Sequence, residues 1–278
     1  MTAVLAPALR AQESKPDMFG NAEAYERFMG RWSRLLAPGL TAFAGLPAAG
    51  NVLDIGSGAG ALAFAIAARE PGVSVAGIDP SNEYVAFASS RNTFGDRVTF
   101  EIGDARKLRF ADASIYACLS LLVINFIPDP GQALREMVRV TRPGAPIAAA
   151  VWDYGDGMRM LRIFWDAAAA VDPAAARLDE RHMPLCRSAE LGELWKSAGL
   201  LSVEERGLAV ETRFASFDDF WEPFLLGQGP AGSYVRGLAG TRRDALRLEV
   251  HRRLAPRDGA IALQARAWAV RGFAPPRA

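Results

Sequence analysis

The sequence predicts an α/β fold: a doubly wound sheet of about seven strands, mostly parallel with an antiparallel C-terminal edge strand, plus an N-terminal helical arm and a helical insertion late in the chain. Three observations predict it. Short apolar runs alternate with helical stretches as far as Asp153, the signature of parallel strands joined by right-handed helical crossovers. The runs are apolar throughout rather than alternating, as strands covered on both faces are. A glycine cluster closes the first run and opens a helix.

Taken in order, residues 1–20 read as a loose leader and 21–45 as the arm. In the arm, Tyr25, Phe28, Trp32, Leu35 and Leu36 recur at three- and four-residue spacing, one face of a helix. Asn21 is its expected N-cap, and Pro38-Gly39 an expected interruption. Strands follow at NVLDIG (51–56), VSVAGID (73–79), VTFEIGD (98–104), within ASIYACLSLLVI (113–124) and at PIAAAVWD (146–153). Helices are expected at 61–70, 82–92 and 130–141, the first and third stopped by Pro71-Gly72 and Pro143-Gly144. After Asp153 the pattern changes. Helices are expected at 160–171 and at 188–199, the latter with Ser188 as N-cap and Gly199 past its end. Residues 201–214 and 260–273 read as two long strands able to form an antiparallel pair at the sheet's edge. The helical lid insertion between them, 213–257, holds helices at 216–227 and 234–254. No repeat or linker divides the chain, so 1–278 reads as one domain.

Composition limits the function classes. Lys and Arg total 32 against 31 Asp and Glu, a net charge of +1, which argues against an electrostatic nucleic-acid clamp. Half the residues are hydrophobic, so the chain is not disordered. No apolar run approaches the roughly 20 residues a membrane span needs. The segment Ala3–Leu9, broken by Pro7, makes a poor signal peptide, so a cytoplasmic location is expected. Cys118 and Cys186 are too few for a disulfide scaffold, and no Cys/His spacing suggests a metal site. The arginine-rich stretch 235–257 is interrupted by Asp244, Glu249 and, just past its end, Asp258, and Leu246, Val250 and Leu254 form a stripe on it. A solvated amphipathic helix explains it better than a nucleic-acid patch.

The glycine loop VLDIGSGAGAL (52–62) carries the sharpest signal. Gly56, Gly58 and Gly60 formally satisfy a dinucleotide fingerprint, whereas the Walker loop is excluded because no Gly-Lys-Ser/Thr follows. Asp54, two residues before Gly56, would repel a pyrophosphate and suit a ligand with a positive amino group. S-adenosylmethionine (SAM) is such a ligand. Asp79 ends the second strand nineteen residues after Gly60, where an acid holds ribose hydroxyls. Asp104 ends the third strand, at the same expected sheet edge, and would accept from an adenine amine. Asp79 before Pro80 also fits a helix cap, and Asp104 a turn, but three acids at three successive strand ends point to a ligand.

These stretches, with GIDPSNEYVAFA, GDARKLRFADASIYACLSLLVINFIPDP and REMVRVTRPGAPIAAAVWD, resemble class I SAM-dependent methyltransferases. The resemblance is to the methyltransferase-11 group, which includes the ubiquinone/menaquinone C-methyltransferases. It covers residues 25 to 155 well and LGELWKSAGL loosely, and it is specific for a Rossmann-like fold and for SAM, not for substrate. It implies that Asp54, Gly56, Ser57, Gly58 and Gly60 hold the methionine part. It implies that Asp79 binds the ribose, with Pro80 and Ser81 beside the adenine and Asp104 and Ala105 at its edge. Ser120 and Leu121 would line the methionyl side. Tyr25 would cover the cofactor and Arg31 pair with its carboxylate. S-adenosylhomocysteine would be the product.

Methyl transfer needs alignment and water exclusion, and a base only where the nucleophile loses a proton. Candidates at the expected mouth are Asn125, Tyr154 and His182, with Trp152, Asp153 and Tyr234 nearby. Trp32, Trp152, Phe220, Trp221 and Phe224 would wall an apolar acceptor pocket, although the lid aromatics would also serve simply to dock the lid. The expectation is transfer of a methyl group to a small, partly hydrophobic molecule, without nucleic acid or a metal, by a monomer or homodimer. Competing readings are an RNA or protein methyltransferase, a SAM- or S-adenosylhomocysteine-binding regulator, and more distantly a dehydrogenase.

Overall fold

The structure, a computed structural model, describes residues 21–255 and 259–277; the expected leader and residues 256–258 lie outside the described residues. The chain runs α1 (Ala22–Tyr25), α2 (Arg31–Ala44), β1 (Ala49–Ile55), α3 (Ala61–Arg69), β2 (Gly72–Asp79), α4 (Asn82–Ser90), β3 (Val98–Ile102), β4 (Ala117–Leu121), α5 (Pro130–Val140) and β5 (Pro146–Trp152). It continues through α6 (Arg159–Val171), α7 (Glu190–Ser197), β6 (Leu201–Phe214), α8 (Phe217–Leu225), α9 (Gly229–Gly237), α10 (Gly240–Leu254) and β7 (Ile261–Phe273).

Seven strands form one sheet in the order β3-β2-β1-β4-β5-β7-β6. The first five are parallel, and the late pair is antiparallel as expected. β7 lies between β5 and β6, so β6 is outermost. β4 and β5 are buried along their whole length, which explains their unbroken apolar sequence. Strand order reverses between β1 and its two neighbours, β2 and β4, and the crevice beyond the carboxyl ends at such a reversal is where ligands bind.

Three local expectations give way to tertiary packing. Pro38 does not interrupt the arm: α2 runs through it to Gly45, whose φ of 68° ends the helix. Pro38 is exposed, so the carbonyl it leaves unbonded is reachable by water, while Leu36, Leu40 and Phe43 are buried on the opposite side. Each burial contributes roughly 1.5–3 kcal/mol, which together outweigh the ~3 kcal/mol a helical proline costs. Ser188 is not the cap of α7, because Ala189 takes a left-handed φ of 71° and the helix starts after it. Glu205 from β6 accepts from Ala189 N at 2.6 Å and Gly192 N at 2.7 Å, supplying the missing cap from across the fold. The expected helix 234–254 is two, α9 and α10, broken at Leu238 and Ala239 where the backbone becomes extended.

The arm is tied at both ends. Asn21 caps α1, and Ala22 N donates to Glu83 of α4 at 2.9 Å. Farther along, Arg31 pairs with Asp219 of α8 at 2.8 Å. Between them the helix widens into a π turn at Glu26–Gly30.

Candidate active site

At those carboxyl ends lies a cavity of about 520 Å³. Its floor is the β1–α3 loop with Asp54, Gly56, Ser57 and Gly58; one side carries Asp79, Pro80, Ser81 and Tyr84, and the arm supplies Tyr25, Phe28, Met29 and Ser33. The far side carries Leu121, Leu122, Phe126, Trp152, Tyr154, Leu161 and Glu180.

Glycine is required in the loop for a physical reason. Gly56 has a φ of 68°, and a Cβ there would lie 2.4 Å from Val123 Cγ1. Its N–H and that of Ser57 both donate to Ile78 O, at 2.7 and 3.1 Å, pinning the loop to the end of β2. Asp79 fastens the same corner, accepting from Gly58 N at 2.9 Å on Oδ2 and from Ser81 N at 2.9 Å on Oδ1. Each of its oxygens keeps a lone pair for a ligand. Burial raises its carboxyl above the usual range, opposed by those two N–H groups.

Asp54 is fully buried. Oδ2 accepts from Ala63 N at 3.0 Å, whereas Oδ1 has no partner, and neither has Ser57 Oγ. Burial drives its carboxyl up to about 7, against the Ala63 bond and aided by the charge of Asp79. A buried acceptor without a donor costs about 1–3 kcal/mol, so this arrangement calls for a ligand that donates there. An ammonium fits and a pyrophosphate does not. The site therefore suits SAM better than a dinucleotide.

Tyr25 stands over this floor. Its hydroxyl lies 3.1 Å from Ser33 Oγ and its ring meets Tyr84 edge to face at 5.8 Å. Burial raises its hydroxyl's pKa, and the charge of Asp79 adds to the shift. Tyr154 is pushed well above 10 by burial and then by Glu180. Glu180 is itself buried and lifted to about 7, even though the Trp165 indole donates to its Oε2.

The structure brings together Tyr25, Asp54, Gly56, Ser57, Gly58, Asp79, Pro80, Ser81, Leu121, Trp152 and Tyr154. Other expected residues stand elsewhere. Asp104 is about half exposed, turned onto Arg106 at 2.7 Å, and Ala105 follows it away from the wall. Gly60 stands off the wall, and a Cβ on it would meet Phe64 at 2.7 Å. Ser120 points into the sheet, donating to Ile55 O at 3.0 Å, because side chains alternate along β4 and Leu121 takes the cavity side. Arg31 is consumed by Asp219 and lies over the rings of Trp32 and Phe214 at 4.3 and 4.7 Å.

The lid aromatics pack together behind the wall. Trp32 meets Phe214 at 5.1 Å, Phe214 meets Phe220 at 5.0 Å, and Phe224 stacks on Phe164 at 4.5 Å. Trp221 packs on Phe224, and of this cluster Phe28 alone, 5.1 Å from Phe224, lines the cavity. The lid aromatics thus dock the lid and do not line the pocket. His182 is exposed, because the tight 3-10 turn Glu180–His182 directs Glu180 inward instead. Asn125 is buried off the wall beside Tyr154, Asp153 is held by Arg266, and Tyr234 packs on Trp165. Glu180 escaped the sequence reading: no motif marks it, and only the neighbouring histidine drew notice.

Among the described residues no cluster of His, Cys, Asp and Glu has the arrangement of a metal site, and no helix is long and apolar enough to cross a membrane.

Residues 53–149 match the family described as a methyltransferase domain, Methyltransf_11. The chain is 28% identical over 203 residues to a 2-methyl-6-phytyl-1,4-hydroquinone methyltransferase of Synechocystis, covering 72% of this chain and 62% of the relative. It is 33% identical over 102 residues to a ubiquinone/menaquinone biosynthesis C-methyltransferase of Geotalea daltonii, 35% of this chain and 43% of that one. The chain thus spans less than two thirds of the length of these relatives. The fold is also that of a phosphoethanolamine N-methyltransferase of Haemonchus contortus solved with SAM, at a TM-score of 0.56 and 18% identity, covering 92% of this chain and 57% of the other.

Proposed function

We propose that this chain, whose residues 53–149 carry a methyltransferase domain of the class I SAM-dependent kind, transfers a methyl group from SAM to a small, partly hydrophobic organic acceptor. The observation that carries the reading is the unpartnered, buried Asp54 oxygen beside the glycine loop, on the floor of a cavity whose other end is largely apolar. SAM supplies a methyl group on a sulfonium, already activated for displacement. In this reading Asp54 binds the ammonium, Ser57 and the Gly58 backbone line the methionine, and Asp79 takes the ribose hydroxyls. Pro80 and Ser81 flank the adenine. Tyr25 closes over the cofactor, presenting a ring face that favours a cation. Phe28, Met29, Phe126, Trp152 and Leu161 exclude water and orient the acceptor. The enclosed apolar end favours a small acceptor over an RNA or protein surface. The hydroquinone in the first relative's name is likewise an organic molecule of mixed apolar and hydroxyl character.

Calorimetric titration with SAM, S-adenosylhomocysteine and NAD tests the reading. SAM and S-adenosylhomocysteine are expected to bind and NAD is not; binding of NAD alone would refute it. A labelled-methyl screen over phenols, hydroquinones and amines then addresses the acceptor.

A further inference from the structure

Beside Asp54 and Asp79 the cavity has a third buried carboxylate, which the cofactor reading does not use. Glu180 is 4% exposed and lies on the wall with Trp152, Tyr154 and Leu161. Asp79 ends β2 and Trp152 ends β5, with β1 and β4 between them in the sheet, so Glu180, on the wall with Trp152 and Tyr154, stands at the end of the cavity away from the ribose-binding acid.

Its neighbours leave it without a cation of its own. Arg162, the nearest, is committed to Asp179, with Nη1 3.0 Å from Oδ2 and a second bond from Nη2 to Oδ1. Asp179 adds a repelling charge, and Arg181 is turned outward onto Asp179 and Asp166. Among the described residues Glu180 takes its hydrogen bond from a neutral donor, the Trp165 indole, and the neutral Ala231 backbone N–H is near enough to lower its pKa slightly. Tyr154 is the other titratable group beside it. Two neutral donors leave part of a carboxylate's roughly four acceptor sites open to a ligand.

We propose that Glu180 is the group that hydrogen-bonds the acceptor and takes up its proton, and hence that the acceptor reacts through an O–H or N–H. This rests on the methyltransferase reading. The acceptor's oxygen or nitrogen gives its lone pair to the methyl carbon, in exchange for that carbon's bond to sulfur, whose electron pair stays on sulfur. The released proton ends on a Glu180 carboxylate oxygen. A base that titrates near neutrality suits this role, since it is ionised before the reaction and still holds the proton afterwards; Glu180 is placed at about 7 by burial and by Asp179, against Trp165, Arg162 and the Ala231 N–H.

The test uses the protein saturated with S-adenosylhomocysteine and a matched pair of probes, 2-naphthol and its methyl ether 2-methoxynaphthalene. The wild-type protein is expected to bind the naphthol at least ten-fold tighter above pH 7, about 1.4 kcal/mol, with the preference shrinking as pH falls below 7 and Glu180 becomes protonated. Glu180→Gln should bind S-adenosylhomocysteine unchanged and lose both the preference and its pH dependence, and Glu180→Asp should retain part of each. The wild-type comparison needs no variant to fold. Equal affinity for the two probes, a preference independent of pH, or binding of neither probe by protein that still binds S-adenosylhomocysteine overturns the proposal. Failure to bind S-adenosylhomocysteine at all defeats the methyltransferase reading, and this inference with it.

Discussion

Asp54 concentrates the chemistry of the cofactor end in one side chain. It is buried, half satisfied and close to neutrality in its ionisation. Only the ionised form attracts an ammonium, so SAM affinity is expected to weaken as pH falls through about 7. Asp54→Asn keeps the shape and removes the charge. Calorimetry should show SAM binding weakened by roughly ten- to a hundred-fold at pH 8, the 1.5–3 kcal/mol of a charged hydrogen bond, and a flatter pH dependence. Asp54 and Asp79 were legible in the sequence because their positions are local: each ends a strand, and the glycine spacing sets the distance between them. Arg31 was misread because its partner Asp219 lies 188 residues away. Glu180 was missed because the sequence does not show that the short turn Glu180–His182 sends it inward, where Trp165, fifteen residues away, donates to it.

At the scale of elements, the segment between α6 and α7 is fixed by charge rather than by regular structure. Arg162 and Asp179 are both buried and joined by two hydrogen bonds. Burial pushes Asp179 up, but the Arg162 bonds and those from Arg181 more than reverse it, leaving its carboxyl below the usual range. Asp179→Ala strands the guanidinium and is expected to cost about 3–5 kcal/mol in chemical denaturation. The start of α7 shows a weaker, separable dependence. Glu205→Ala removes the acceptor for two N–H groups and should cost about 1 kcal/mol, with faster hydrogen exchange confined to Ala189–Gly192. Strand and helix identities were readable in both regions because they follow apolar periodicity. The cap was not, because a residue on a distant strand supplies it.

For the molecule as a whole, two carboxyls held near neutrality make stability depend on pH. Asp54 and Glu180 each have a folded pKa of about 7 against ordinary values of 3.8 and 4.5. Between those limits the folded state binds more protons than the unfolded one, so stability falls as pH rises and the penalty is complete above 7. The ligand-free protein should melt at a lower temperature at pH 8 than at pH 5.5, by at least ~2 °C, the shift that about 1 kcal/mol produces in a chain of this size. Saturating SAM should narrow the gap by favouring ionised Asp54, and the double variant Asp54→Asn, Glu180→Gln should reduce it to the share left by Asp79, whose carboxyl burial also raises. Differential scanning calorimetry at the two pH values checks both. The sheet order was only partly foreseeable at this scale: the sequence shows that two long strands pair, but not that β7 enters beside β5 and carries β6 outward.

That arrangement bears on synthesis. β6, fourteen residues long, leaves the ribosome before β7, its only strand partner in the sheet, and three helices separate the two. Until Ile261–Phe273 has been made, the nascent chain carries a long strand with both edges unpaired. Such an edge templates pairing between chains. Ribosomes stalled between Phe214 and Ile261 would therefore hold the form of this protein most in need of a chaperone.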